Sequence, residues 1–118
     1  MAITTITATA LVTDTVSADL PVTAFEAINA SNTISVAYPR EGKLLLVLNN
    51  TFAGAKVFTV GAGDYLSNGV GAYAITMAQD DVRYLIVDSS RFKDFDGTIN
   101  ITFAASTTGY VGAFSLPY

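Results

Sequence analysis

At 118 residues, 51% hydrophobic and 14% charged, the chain can build one hydrophobic core but not two, and its apolar content excludes disorder as the main state. It has no cysteine and no histidine, which removes disulfides, thiolate and imidazole catalysis and the common zinc-ligand sets. The formal net charge is −4 and the six basic residues (Arg40, Lys43, Lys56, Arg83, Arg91 and Lys93) are scattered, so there is no phosphate-tracking stripe and direct nucleic-acid binding is not expected.

The first ten residues carry neither a basic start nor a continuous apolar core, unlike a secretory signal. No apolar run approaches the roughly 20 residues of a membrane-spanning helix, and a soluble protein without a membrane partner is expected. Ile6, Ala8, Ala10 and Val12 alternate with Thr5, Thr7 and Thr9, the period of a half-buried strand rich in β-branched residues. Ile3 and Leu11 break that alternation. Residues 1–13 therefore form a strand that either pairs within the domain or serves as an amino-terminal arm added to a neighbouring sheet. In the second case Ile3, Ile6 and Leu11 are its anchors. After a polar link over 14–21, Thr23-Ala-Phe-Glu26 fits a capping box, whose hydroxyl and carboxylate satisfy free amides at a helix start. One helical turn through Ile28 and a short strand are both compatible with this segment, because Asn29-Ala-Ser-Asn32 ends any helix at once.

Strand patterns then recur at short intervals, over 33–38, 43–49, 56–60, 72–78, 82–88, 98–103 and 110–116. Ile34, Val36 and Tyr38 share a face, as do Tyr73, Ile75 and Met77. Ile99, Ile101 and Phe103 oppose Thr98, Asn100 and Thr102 in the same way. Leu44-Leu-Leu-Val-Leu48 does not alternate, so it is a central strand covered on both faces, by the fold or by a partner. Gly, Asn and Asp over 49–54, 61–64, 67–71 and 94–97 supply the turns. These features predict an all-β single domain over 1–118, an antiparallel β-sandwich or jelly-roll-like fold with at most one short helical turn.

The carboxylate pairs Asp80/Asp81 and Asp94/Asp96 have the composition of an acid and base, but neighbours in a polar turn are ordinarily solvated and structural, and no enzyme is expected. Asp94-Phe-Asp-Gly97 resembles part of a calcium loop, with Asp88 nearby, yet Phe92 and Phe103 stand at its first and last ligand positions. A turn is the better reading, and no metal or cofactor is expected. Gly61-Ala-Gly63 lacks the third glycine and the following helix of a dinucleotide fingerprint. Arg91 and Phe92 belong to the same structural turn as Asp94, Asp96 and Gly97: Phe92 plugs the end of the sandwich and Arg91 pairs with Asp88, Asp94 or Asp96. An exposed pair of this kind is worth under about 1 kcal/mol, so its role is geometric. Tyr65, Tyr73, Tyr84, Tyr110 and Tyr118 are of a type that stacks on sugar rings, against the more ordinary assignment to core and subunit interface. The low charge itself points to assembly, since isolated monomers keep more charged surfaces.

Six segments in order carry a resemblance: Glu41-Gly-Lys with its apolar strand to Asn49; Ala55-Lys-Val-Phe-Thr-Val60; Ala74-Ile-Thr-Met77 with Asp80, Asp81 and Val82-Arg-Tyr-Leu85; Ser90-Arg-Phe92; Asp96-Gly-Thr-Ile-Asn-Ile-Thr-Phe103; and a final hydrophobic strand. Their order and spacing over residues 20–118 resemble small β-sandwich proteins encoded in the head modules of tailed bacteriophages. The chain departs from that pattern at Val87-Asp-Ser-Ser90, where a proline-rich connection is usual, and in ending on Pro117-Tyr118. What the resemblance implies is a capsid decoration (cement) protein, bound to the major capsid protein on the outside of the lattice, often as a homotrimer at local three-fold positions. It further implies assembly in the host cytoplasm and residence on the capsid exterior of the virion, where the subunit staples neighbouring capsid subunits together. A glycan- or host-surface-binding β-sandwich displayed on the virion is the alternative.

Overall fold

The computed structural model describes residues 3–16, 19–21, 25–37, 43–61, 72–87 and 97–116. Among them run ten strands: β1 (Ile3–Thr7), β2 (Thr9–Ala10), β3 (Glu26–Ala27), β4 (Thr33–Ala37), β5 (Lys43–Asn50), β6 (Lys56–Val60), β7 (Tyr73–Met77), β8 (Val82–Val87), β9 (Thr98–Phe103) and β10 (Gly109–Leu116). No helix occurs among the described residues. The strands form two sheets, one in the order β1-β4-β9-β6-β7 and the other β2-β10-β5-β8, with β3 also paired to β10. Packed face to face they make a β-sandwich 23 Å through its thinnest dimension.

Alternation places the core. Ile34 and Val36 on β4, Ile99 and Ile101 on β9, and Phe58 and Val60 on β6 point inward from the first sheet and are fully or almost fully buried. Leu44, Leu46 and Leu48 on β5, with Val111 and Ala113 on β10 and Val87 on β8, meet them from the second. The rings of Phe58 and Phe103 lie opposite each other across β6 and β9 with centroids 5.2 Å apart, edge to face.

The central pairings are antiparallel, as the turn-rich sequence predicts, but the sheets are mixed. β1 runs parallel to β4, with Ile3 opposite Thr33 and Ile6 opposite Val36, and β2 runs parallel to β10. Parallel neighbours need no tight turn between them, so no local sequence signal announces them. The amino-terminal segment thus pairs within its own domain, crossing at Ala8 from the edge of one sheet to the edge of the other. The capping-box segment resolves toward the strand reading at Glu26 and Ala27, which lie opposite Val111 and Tyr110. The Ile28 amide donates to the Gly109 carbonyl at 2.9 Å, so β10 takes up the backbone groups that a helix would have used. Thr23 lies outside the described residues.

Asn50 ties one end of the sandwich together. It is fully buried, and its side-chain amide donates to the carbonyls of Gly54, Met77 and Ala78 at 3.1, 2.9 and 3.2 Å while its Oδ1 accepts the Phe52 amide at 3.0 Å. Its backbone amide donates to Asp81 and its carbonyl accepts from Asp80. One residue therefore joins the β5–β6 loop to the β7–β8 turn.

Candidate interaction surface

The unbroken apolar run in β5 determines what the two faces of the second sheet become. Leu44, Leu46 and Leu48 face the core; Leu45 and Val47, by alternation, face outward. Val47 is nonetheless only 4% exposed. Its neighbour in register on β10 is Gly112, and the Phe25 ring lies so close over that glycine that an added Cβ would sit 2.8 Å from it. Phe25 in turn packs edge to face on Phe114 at 5.6 Å. Leu11, Leu20, Phe25 and Phe114 on one side and Tyr84 on the other thus enclose an apolar groove of about 310 Å³ floored by Leu45 and Val47.

Cover stops toward β8. Tyr84, opposite Val47, is 68% exposed; Ile86, opposite Leu45, is 57% exposed; Val82, opposite Asn49, is 37% exposed. These three side chains continue the groove's apolar floor to the edge of the sheet. The outer face of the first sheet has the opposite character. There Thr5, Ser35 and Asn100 stand in one row and Thr59 and Thr102 in another, with Ser35 itself buried and Ile3 exposed at the β1 edge. The sandwich is therefore two-sided, hydroxyl- and amide-rich on one face and apolar on the other.

Of the proposed anchors, Ile6 is half-buried against the core, Ile3 is 66% exposed beside β4, and Leu11 reaches the groove, its amide bonded to the Ser115 carbonyl at 2.9 Å. They occupy three separate environments rather than one patch. Of the structural-turn residues, Arg91, Phe92, Asp94 and Asp96 lie outside the described residues, while Gly97 has φ +83° with open space where a side chain would go. Asp81 is a turn cap: its carboxylate accepts the Ala78 amide at 2.9 Å and meets Arg83 at 3.5 Å. Lys56 is equally occupied locally, bonded to the Ala105 carbonyl at 2.7 Å and seated over the Phe52 ring. Among the described residues no group of three or more acidic side chains gathers as a metal site, and no helix is long and apolar enough to cross a membrane. Tyr73 belongs to the first sheet, whereas Tyr84 and Tyr110 share the outer face of the second with β5 between them. The residues that sequence patterning did not single out are Leu20, Phe25, Ile86 and Phe114; their only trace was the doubly covered run in β5, which demanded some cover for Leu45 and Val47. Comparison with family models, curated proteins and solved structures finds no match to this chain.

Proposed function

We propose that the chain is a capsid decoration protein of a tailed bacteriophage, which binds the major capsid lattice from outside in many copies and reinforces the shell. The observation that carries this reading is the apolar outer face of the second sheet, running from the Phe25 groove to Tyr84 and Ile86 on a domain whose other face is hydroxyl-rich. Such asymmetry suits a subunit that docks by one side and meets water with the other. The low charge and the phage-like order of segments agree with it. Function would then lie in added interface area: modest contacts, repeated over a lattice and bridging its subunits, sum to a shell that resists expansion.

Co-sedimentation with undecorated capsids tests the proposal. Saturable binding, together with a raised temperature of shell rupture, is the expected result; a folded protein that never saturates the lattice would remove the reading. The exposed Tyr84 beside an apolar groove favours one second reading, glycan binding on the virion surface. Sugar affinity on a glycan array without lattice binding would establish it in place of decoration.

A further inference from the structure

The edge of β8 is itself a binding element, and its occupant can be deduced from the backbone. Asn50 donates to the Asp81 carbonyl at 3.1 Å, so Asp81 turns its carbonyl toward β5, and Arg83, Leu85 and Val87, at even steps from it, turn theirs the same way. Val82, Tyr84 and Ile86 turn their N–H and C=O groups the other way. Among the described residues no strand lies on that side, since β8 ends its sheet. These same three residues carry the exposed apolar side chains on the outer face. Natural sheet edges are normally blunted by lysine, proline or a bulge. Here the charged residue of β8, Arg83, points to the opposite, core-facing side and pairs with Asp81, and Asp80 and Asp81 bulge against Asn50 before the strand begins. Val82, Tyr84 and Ile86 themselves carry no charge, proline or bulge.

We propose that β8 pairs antiparallel with β8 of a second copy of this chain about a two-fold axis through Tyr84. Among the described residues this side of the ladder is open and calls for another strand, and an uncharged stripe offers nothing for a charged segment to pair with. Self-pairing meets three conditions at once. A two-fold normal to the sheet keeps the outer face outer, so Val82, Tyr84 and Ile86 can oppose only one another. Centring on Tyr84 sets Tyr84 against its own copy and Val82 against Ile86 in both directions. Those are hydrogen-bonded pairs, each closing two N–H to C=O bonds, so every free edge group of the three residues is used. All three cross-strand contacts are then aromatic or β-branched, the combinations that stabilise antiparallel pairs best. The second sheets of two copies become one, and the apolar groove faces lie side by side on the same surface. The pairing does not depend on the decoration reading, and it differs from the three-fold grouping that the phage resemblance implies.

The absence of cysteine makes the register directly testable. Opposed Cα atoms in a hydrogen-bonded pair lie about 5.5 Å apart, within the roughly 4.4–6.8 Å that a disulfide spans. The Cβ atoms of such a pair, however, lie about 5.5 Å apart, beyond the roughly 3.5–4.5 Å of an unstrained disulfide, so a short bifunctional thiol reagent is the better linker. With it, Tyr84→Cys should give a covalent dimer as the main species. Val82→Cys and Ile86→Cys should stay monomeric alone and cross-link when mixed. For the unmodified chain, sedimentation over a rising concentration series should show a shift from one to two chain masses, weakened roughly tenfold by Ile86→Lys because the two-fold repeats the substitution. A monomeric or three-chain species in the unmodified protein, Tyr84→Cys that fails to cross-link, or Val82→Cys that cross-links alone as fast as Tyr84→Cys would each overturn the proposal.

Discussion

Asn50 and Asn49 are adjacent, both buried and chemically identical, but they differ in what they hold. Asn49 donates from its side chain to the Asp81 carbonyl at 3.2 Å, while the Asn50 side chain serves three carbonyls and an amide. Replacing Asn50 by Ala strands several buried backbone groups, so the expected loss is about 3 kcal/mol or more, against about 1 kcal/mol for Asn49→Ala. Urea unfolding of the two variants checks the ratio; equal losses would mean that the carbonyls find other donors. Two glycines give a second contrast. Gly97 and Gly109 both have φ in the region that L side chains avoid, but an added Cβ finds open space at Gly97 and lies 2.0 Å from the Asn49 carbonyl oxygen at Gly109. Gly97→Ala should therefore cost only the backbone strain of about 1–2 kcal/mol, with Gly97→Asn recovering part of it. Gly109→Ala has to push β10 off β5 and should cost more than about 4 kcal/mol, so that little folded protein is recovered.

At the level of elements, β1 and β2 show how burial and pairing divide the work of one short segment. Ile6 packs on the core while Ile3, three residues earlier, projects to solvent. Ile6→Ala should lower stability by about 2 kcal/mol, near the foot of the range for large aliphatic truncations because the site is only half-buried. Ile3→Ala should stay within about 0.5 kcal/mol. Thermal melts of the pair test whether the segment is integral: if neither substitution lowers the midpoint, β1 is not part of the folding unit. The same segment marks where the sequence stops being legible. β4, β7 and β9 can be read because they alternate and β5 because it conspicuously does not, whereas β6, β8 and β10 are marked only as short apolar runs between turn residues. In β1 the alternation of Ile6 and Ala8 was visible, but not that the strand leaves one sheet for the other at Ala8, since a crossover between distant edges has no local signature. At Glu26 the local capping signal yielded to pairing with β10, whose partner residues lie more than 80 positions away. The groove is illegible for a related reason. Leu20 and Phe25 come from an irregular stretch and Tyr84 from a strand far along the chain, and only the tertiary fold brings them over Leu45 and Val47.

For the molecule as a whole, the difference between its two broad faces is the feature with functional weight. If the apolar face docks on a capsid, attachment should depend on desolvated contacts and not on charge, because Lys56 and Arg83 are engaged within the fold, by the Ala105 carbonyl and by Asp81. Raising salt then screens little of the binding energy, since exposed ion pairs are what a Debye length of about 8–10 Å suppresses. Leu20 is a suitable probe: it lines the groove from a segment outside the sheets, so its loss leaves the ladders intact. Leu20→Ser should weaken binding to undecorated capsids by roughly tenfold, the scale of one desolvated interface contact. Thr102→Lys, on the exposed outer surface of the first sheet, should leave it unchanged. Co-sedimentation of both variants at low and high salt separates the possibilities: equal weakening of the two, or binding that collapses with salt, would mean that the apolar face is not the docking side and that the hydroxyl-rich face, or charge, carries the attachment.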